Sequence, residues 1–131
     1  MTVTHLKPEG MHSSPVFTQA IAVSAGTKLV FIGGQDGVNE KGETVGEDLA
    51  AQTTQAIANV VKAVSAAGGG IEHLIKCTIY LVHGQDIRPA FDAWQKAWGN
   101  RPNPPTVSMV QVAALGNPAW LIEIDGIAAV E

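Results

Sequence analysis

From Ile75 to Val82 the chain alternates Ile75, Cys77, Ile79 and Leu81 with Lys76, Thr78, Tyr80 and Val82. Successive side chains of an extended strand point to opposite faces, so this pattern predicts a strand with one strongly buried face and one mixed face. Such a strand has to be paired with others and covered on its apolar side, which limits what the rest of the chain can be. Trp120 to Val130 alternates in the same way, with Leu121, Glu123 and Asp125 on one face and Ile122 and Ile124 on the other. Phe17 to Val23 and Leu29 to Gly33 are short runs of strand formers around the turn-like Ser24-Ala25-Gly26-Thr27, the pattern of a β-hairpin. Thr106 to Val112 is a further strand, entered through the stiff connector of Pro102, Pro104 and Pro105.

Two helices lie between these strands. Asp48 opens a pattern in which Leu49, Thr53, Ala56, Val60 and Val64 recur at spacings of three and four, and Gly68-Gly69-Gly70 stops it. Asp86 is an N-cap candidate for the second helix, Pro89 suits its first turn, and Phe91, Trp94 and Trp98 form a stripe before Gly99. Trp94 and Trp98 are assigned to an interface between subunits rather than to the core. The predicted order is ββαβαββ, an α+β domain over residues 1–131 with two helices packed on one face of a mixed sheet. The other face, with Phe17, Phe91 and Trp120 also to be buried, is expected to be covered by further copies of the chain.

A chain of 131 residues with 46% hydrophobic and 15% charged side chains has the material for one packed core. The net charge of −4, without a cluster of lysine or arginine, argues against nucleic acid as a partner. No stretch reaches membrane-spanning length, Met1 to Gly10 lacks the marks of a signal peptide, and the lone Cys77 suits a reducing compartment, so the expected location is cytoplasmic. His5, His12, His73 and His83 have no ligand spacing, and neither a metal nor a cofactor is expected.

Several segments coincide with one family. Phe17-Thr18-Gln19-Ala20-Ile21 resembles the Tyr-Ser-Gln-Ala-Ile opening of the Rid (YjgF-like) proteins, and Gly33-Gly34-Gln35 their Ser-Gly-Gln strand end. Ala51-Gln52-Thr53, Lys76-Cys77-Thr78-Ile79-Tyr80-Leu81, Val110-Gln111-Val112-Ala113 and Leu121 to Ala128 resemble further family segments in the same order, whereas residues 1–14 match poorly. The resemblance implies a chorismate-mutase-like fold, a trimeric barrel with pockets between subunits, and hydrolysis of reactive enamines and imines to a keto acid and ammonia. It places Phe17, Gly33, Gly34, Phe91, Val107 and Met109 in the substrate-binding set and Glu123 as the catalytic residue, where a carboxyl manages the attacking water.

The sequence departs from the family where it matters most. The deaminating members carry an arginine two places after the proline that opens the penultimate strand, and here Pro105-Thr106-Val107-Ser108 puts valine there. A guanidinium grips a carboxylate through two charge-assisted hydrogen bonds of about 1.5–3 kcal/mol each, and valine makes neither. Phe17 and Phe91 likewise stand where the family has tyrosine and asparagine. Arg101, in the connector, is the one arginine with a path toward the pocket mouth. The implied function is an imine or enamine hydrolase with a weakened hold on carboxylates. The alternatives are a non-catalytic trimer that binds a small molecule or protects proteins, and the family's older reading as a ribonuclease or translation inhibitor.

Overall fold

The computed structural model describes residues 3–130; Met1, Thr2 and Glu131, the ends of the expected domain, lie outside the described residues. The elements are β1 (Val3–Leu6), β2 (Ala20–Val23), β3 (Lys28–Asp36), α1 (Leu49–Ser65), β4 (Leu74–Val82), α2 (Arg88–Trp98), β5 (Thr106–Val112) and β6 (Ile122–Val130), with a single 3-10 turn at Ile71–His73 before β4. The main sheet has the order β3-β6-β4-β5. β6 pairs antiparallel with both β3 and β4, and β5 runs parallel to β4 at one edge, so the sheet is mixed.

The alternation of β6 sorts the two faces. Ile122, Ile124, Ala128 and Val130 are buried beneath the helices with Leu74, Cys77 and Leu81 of β4. From α1 the stripe Leu49, Ala56, Ile57, Val60 and Val64 packs on them, and from α2 Ala90, Trp94 and Trp98. Asp48 caps α1 as its spacing predicts, its carboxylate accepting the Ala51 N–H at 2.7 Å. The helix closes at Ser65, with Gly68 at φ 89° in the turn that follows. The face opposite the helices carries Leu29, Phe31, Lys76, Thr78, Tyr80, Glu123, Asp125 and Ile127, and Phe31 is 73% exposed there.

Gln52 of α1 fixes the entry to β6. Its side chain is fully buried; Nε2 donates to Ala119 O at 3.0 Å and Gly46 O at 3.3 Å, while Oε1 accepts the Leu121 N–H at 2.8 Å. One amide thus bonds three backbone groups, at Gly46, Ala119 and Leu121.

Four expectations need correcting. The predicted hairpin does not form: Ala20–Val23 pairs with Val3–Leu6, and β3 pairs with β6. Phe17 precedes the strand because Thr18 N donates to Pro105 O at 3.0 Å, which diverts the chain toward the start of β5. Trp94 and Trp98 are 8% and 4% exposed and stacked at 5.9 Å, so they belong to the core of the chain and not to an interface; Phe91, on the other side of α2, is the exposed aromatic. Ile75 is only half-buried, because a register shift between Leu74 and Lys76 gives its inward position to Leu74. Ile87 rather than Asp86 takes the N-cap position of α2, and Asp86 accepts the Arg88 N–H from one residue earlier.

Gln52→Met keeps the volume and removes the three hydrogen bonds, leaving the N–H of the half-buried Leu121 without its partner. We expect a loss of about 1–3 kcal/mol in denaturant unfolding; no measurable loss would mean that β6 is anchored by apolar packing alone.

Candidate functional site

The residues singled out from the sequence fall into two groups on opposite edges of the sheet. Gly33 and Gly34 lie on the edge strand β3, within a register shift between Ile32 and Gln35, and Glu123 lies on the neighbouring β6. Val107 and Met109 lie on β5, the other edge, in register with Cys77 and Ile79 of β4. Side-by-side residues share a face, so Val107 and Met109 point to the helix side whereas Glu123, in register with Tyr80, points to the open side. Two strand spacings, about 10 Å, separate β6 from β5 as well. Met109 and Phe91 are 57% and 53% exposed, and Phe17 sits near the start of β5 through its neighbour Thr18. No one chain brings Glu123 and Val107 together.

Around Glu123 the construction is tight. A Cβ at Gly34 would come within 2.5 Å of Glu123 Oε2, so the Glu123 side chain lies across the glycine. Asp36, which the sequence reading passed over, is directly in register with Glu123. Asp36 is 8% exposed, and its Oδ1 is buried without a partner among the described residues. Burial, and then the charge of and a hydrogen bond with Glu123, push the Asp36 carboxyl up to about 7. Asp36 is therefore a carboxyl that is still partly protonated near neutrality, in register with Glu123. Asn59 of α1 donates to Asp36 O at 3.2 Å and Val38 O at 2.8 Å, tying down the end of β3. A pocket of about 430 Å³ opens beside Asp36, lined among others by Gly34, Asn59, Lys62 and Trp120.

The rest of the open face is a polar row. Tyr80 Oη donates to Asp125 Oδ2 at 3.2 Å across the strands, and the Asp125 charge pushes the phenol pKa up. Asp125 therefore has a partner within the sheet. Lys76 Nζ donates to Thr78 Oγ1 at 2.7 Å. Cys77 is fully buried, and desolvation first, then the Asp125 charge, raises its thiol to about 12, which suits a packing residue and not a nucleophile. Arg101 is tied to the end of α2: its Nη1 donates to Trp98 O at 2.8 Å and Ala97 O at 3.3 Å.

With this geometry the comparisons with known proteins agree. The sequence model of the family described as Endoribonuclease L-PSP matches residues 11–130. A RutC family protein of Pyrococcus horikoshii is 33% identical over 115 residues, covering 87% of this chain and 88% of the relative. The crystal structure of YyfB from Yersinia pestis, a Rid protein family member of unknown function, superposes with a TM-score of 0.87 at 30% identity over 99% of this chain and 100% of that one. E. coli TdcF, crystallised with bound serine, superposes with a TM-score of 0.73 at 30% identity over 83% and 85% of the two chains. The chain belongs to the Endoribonuclease L-PSP family, the Rid or YjgF proteins.

Because Asp36 keeps a proton in the folded state that the unfolded chain loses above about pH 4, its contribution to stability is greatest below that pH and falls as pH rises toward 7. Denaturant unfolding should show wild type losing about 1–2 kcal/mol relative to Asp36→Asn between about pH 4 and pH 8. Parallel pH profiles would separate Asp36 from Glu123.

Proposed function

We propose that the protein hydrolyses a small imine or enamine in a pocket assembled between copies of the chain, with Glu123 handling the water. The observation that carries this reading is the Asp36–Glu123 carboxyl pair beside Gly34 at a sheet edge, in which Asp36 is pushed up to about 7. In the proposed step Glu123 takes a proton from water as the water oxygen bonds to the imine carbon. The nitrogen is protonated, the C–N bond of the resulting carbinolamine breaks, and ammonia and a carbonyl compound leave. A carboxyl that still carries a proton near neutrality beside a second carboxyl suits a step that needs a base for water and an acid for nitrogen.

Completion by a second copy follows from the placement of the other residues. Met109 and Phe91 are exposed and Val107 is half-buried, and the two β5 side chains have to come from another subunit to face Glu123. The trimer implied by the family resemblance supplies such an arrangement. Small-molecule binding is supported by the serine bound in TdcF. The absence of hydrogen-bonding groups from Val107, Met109 and Phe91 favours the second reading, a trimer that binds an apolar metabolite without turning it over. The ribonuclease reading draws on the family's description alone, and the charge of −4 opposes it.

The test is the decay of freshly generated 2-iminopropanoate and larger imino acids with the purified protein. The reading predicts acceleration that falls by about a hundredfold or more in Glu123→Gln, and a gain for acidic substrates in Val107→Arg. Equal decay with and without the unmodified protein for every imine tried would favour the binding reading.

A further inference from the structure

Two of the eight lysine and arginine side chains and two of the four histidines of this acidic chain meet in one cleft. A cleft of about 390 Å³ between the N-terminal segment and the connector after α2 is lined by His5, Lys7, His12 and Arg101, and by no aspartate or glutamate. With 12 acidic against 8 lysine and arginine side chains in the whole chain, that lining inverts the average. Among the described residues the ion pairs are Arg88–Asp86 and His73–Glu72, so neither Lys7 nor Arg101 has a carboxylate within 4.0 Å.

The walls are held from three sides. β1 carries His5 in register with Ile21 of β2, Gln19 Nε2 donates to His12 O at 2.9 Å, and Trp98 Nε1 donates to Arg101 O at 2.8 Å. Arg101 is held by its Nη1 bonds to the end of α2, and among the described residues its Nε and Nη2 have no partner. A guanidinium positioned in this way, with two adjacent donors open, matches a carboxylate.

Two features of the cleft are unfavourable on their own. His5 Nε2 is buried and has no hydrogen-bond partner among the described residues. Asn103, between Pro102 and Pro104, is the non-glycine residue with positive φ among the described residues, at 59°, and it lines the same cleft. Leu6, Met11, Phe17 and four prolines, Pro8, Pro15, Pro102 and Pro104, supply apolar wall.

We propose that this cleft binds a small carboxylate with an apolar body, its charged end held by Arg101 and Lys7 and hydrogen-bonded by His5 Nε2. Burial lowers the His5 pKa, so the ring enters as a neutral donor, and the ligand satisfies the orphaned nitrogen. The cleft shares no lining residue with the pocket beside Asp36, and the inference stands whether or not Glu123 is catalytic.

Titration of the full chain with benzoate, benzamide and inorganic phosphate, followed by amide and imidazole NMR signals, tests this. Expected are saturable benzoate-induced shifts at His5, Lys7 and Asn103, little response to benzamide, and weaker binding of phosphate than of benzoate. Arg101→Gln should weaken benzoate about tenfold. Because that variant also loses a helix-end contact, Lys7→Gln, at an exposed position, serves as the variant that leaves the fold alone, and it should weaken benzoate severalfold. Benzamide binding as tightly as benzoate, phosphate binding more tightly than benzoate, or shifts confined to the Gly34–Asp36 segment would each overturn the proposal.

Discussion

The structure depends on β6 lying between β3 and β4 with its two faces in the right order. The period-two alternation of Ile122, Ile124, Ala128 and Val130 against Glu123, Asp125 and Ile127 sends the aliphatic set under α1 and α2 and the acidic set to the open side. A slip of one residue would reverse both, burying two carboxyls beneath the helices. Gln52 prevents that slip at the start of the strand, since its amide reads the backbone of Gly46, Ala119 and Leu121 together. Glu123 is two residues beyond this anchor, so its position follows from a buried amide on a helix rather than from any surface contact.

The same arrangement explains why the open face is chemically useful. Placing Glu123 in register with Asp36 brings two acids together beside Gly34, and burial, then the neighbouring Glu123, pushes the Asp36 carboxyl up. The apolar candidates Val107 and Met109 are on the far edge and the other face. An edge strand that is parallel to its one neighbour and exposes Met109 and Val110 is an incomplete surface, and so is an open face that exposes Phe31. The two incomplete surfaces belong to one account, in which each is finished by another copy of the chain.

The strand periodicities of β4, β5 and β6, the Asp48 cap and the stop at Gly68 were legible because each is local, and local rules govern them. Pairing was not. Nothing within Phe17 to Val23 says that it takes Val3–Leu6 as its partner, since strand formers do not specify which edge they meet. Two register shifts, at Ile32/Gln35 and Leu74/Lys76, moved Leu74 into the core and brought Asp36 opposite Glu123. Asp36 was therefore hidden although its residue type is suggestive; the signal that pointed to it was the glycine pair just before it, which marks a bulge. The tryptophans were misread because a helical stripe states that a face is covered and not by what.

The central claim is that the candidate site is divided between opposite edges of the sheet and is completed only when copies of the chain associate. The mass of the unmodified protein in solution at micromolar concentration, by native mass spectrometry or light scattering, tests it most directly. The account predicts a species of three times the 13.7 kDa chain mass. A stable species of 13.7 kDa would contradict it, because Glu123 would then never face Val107 and Met109.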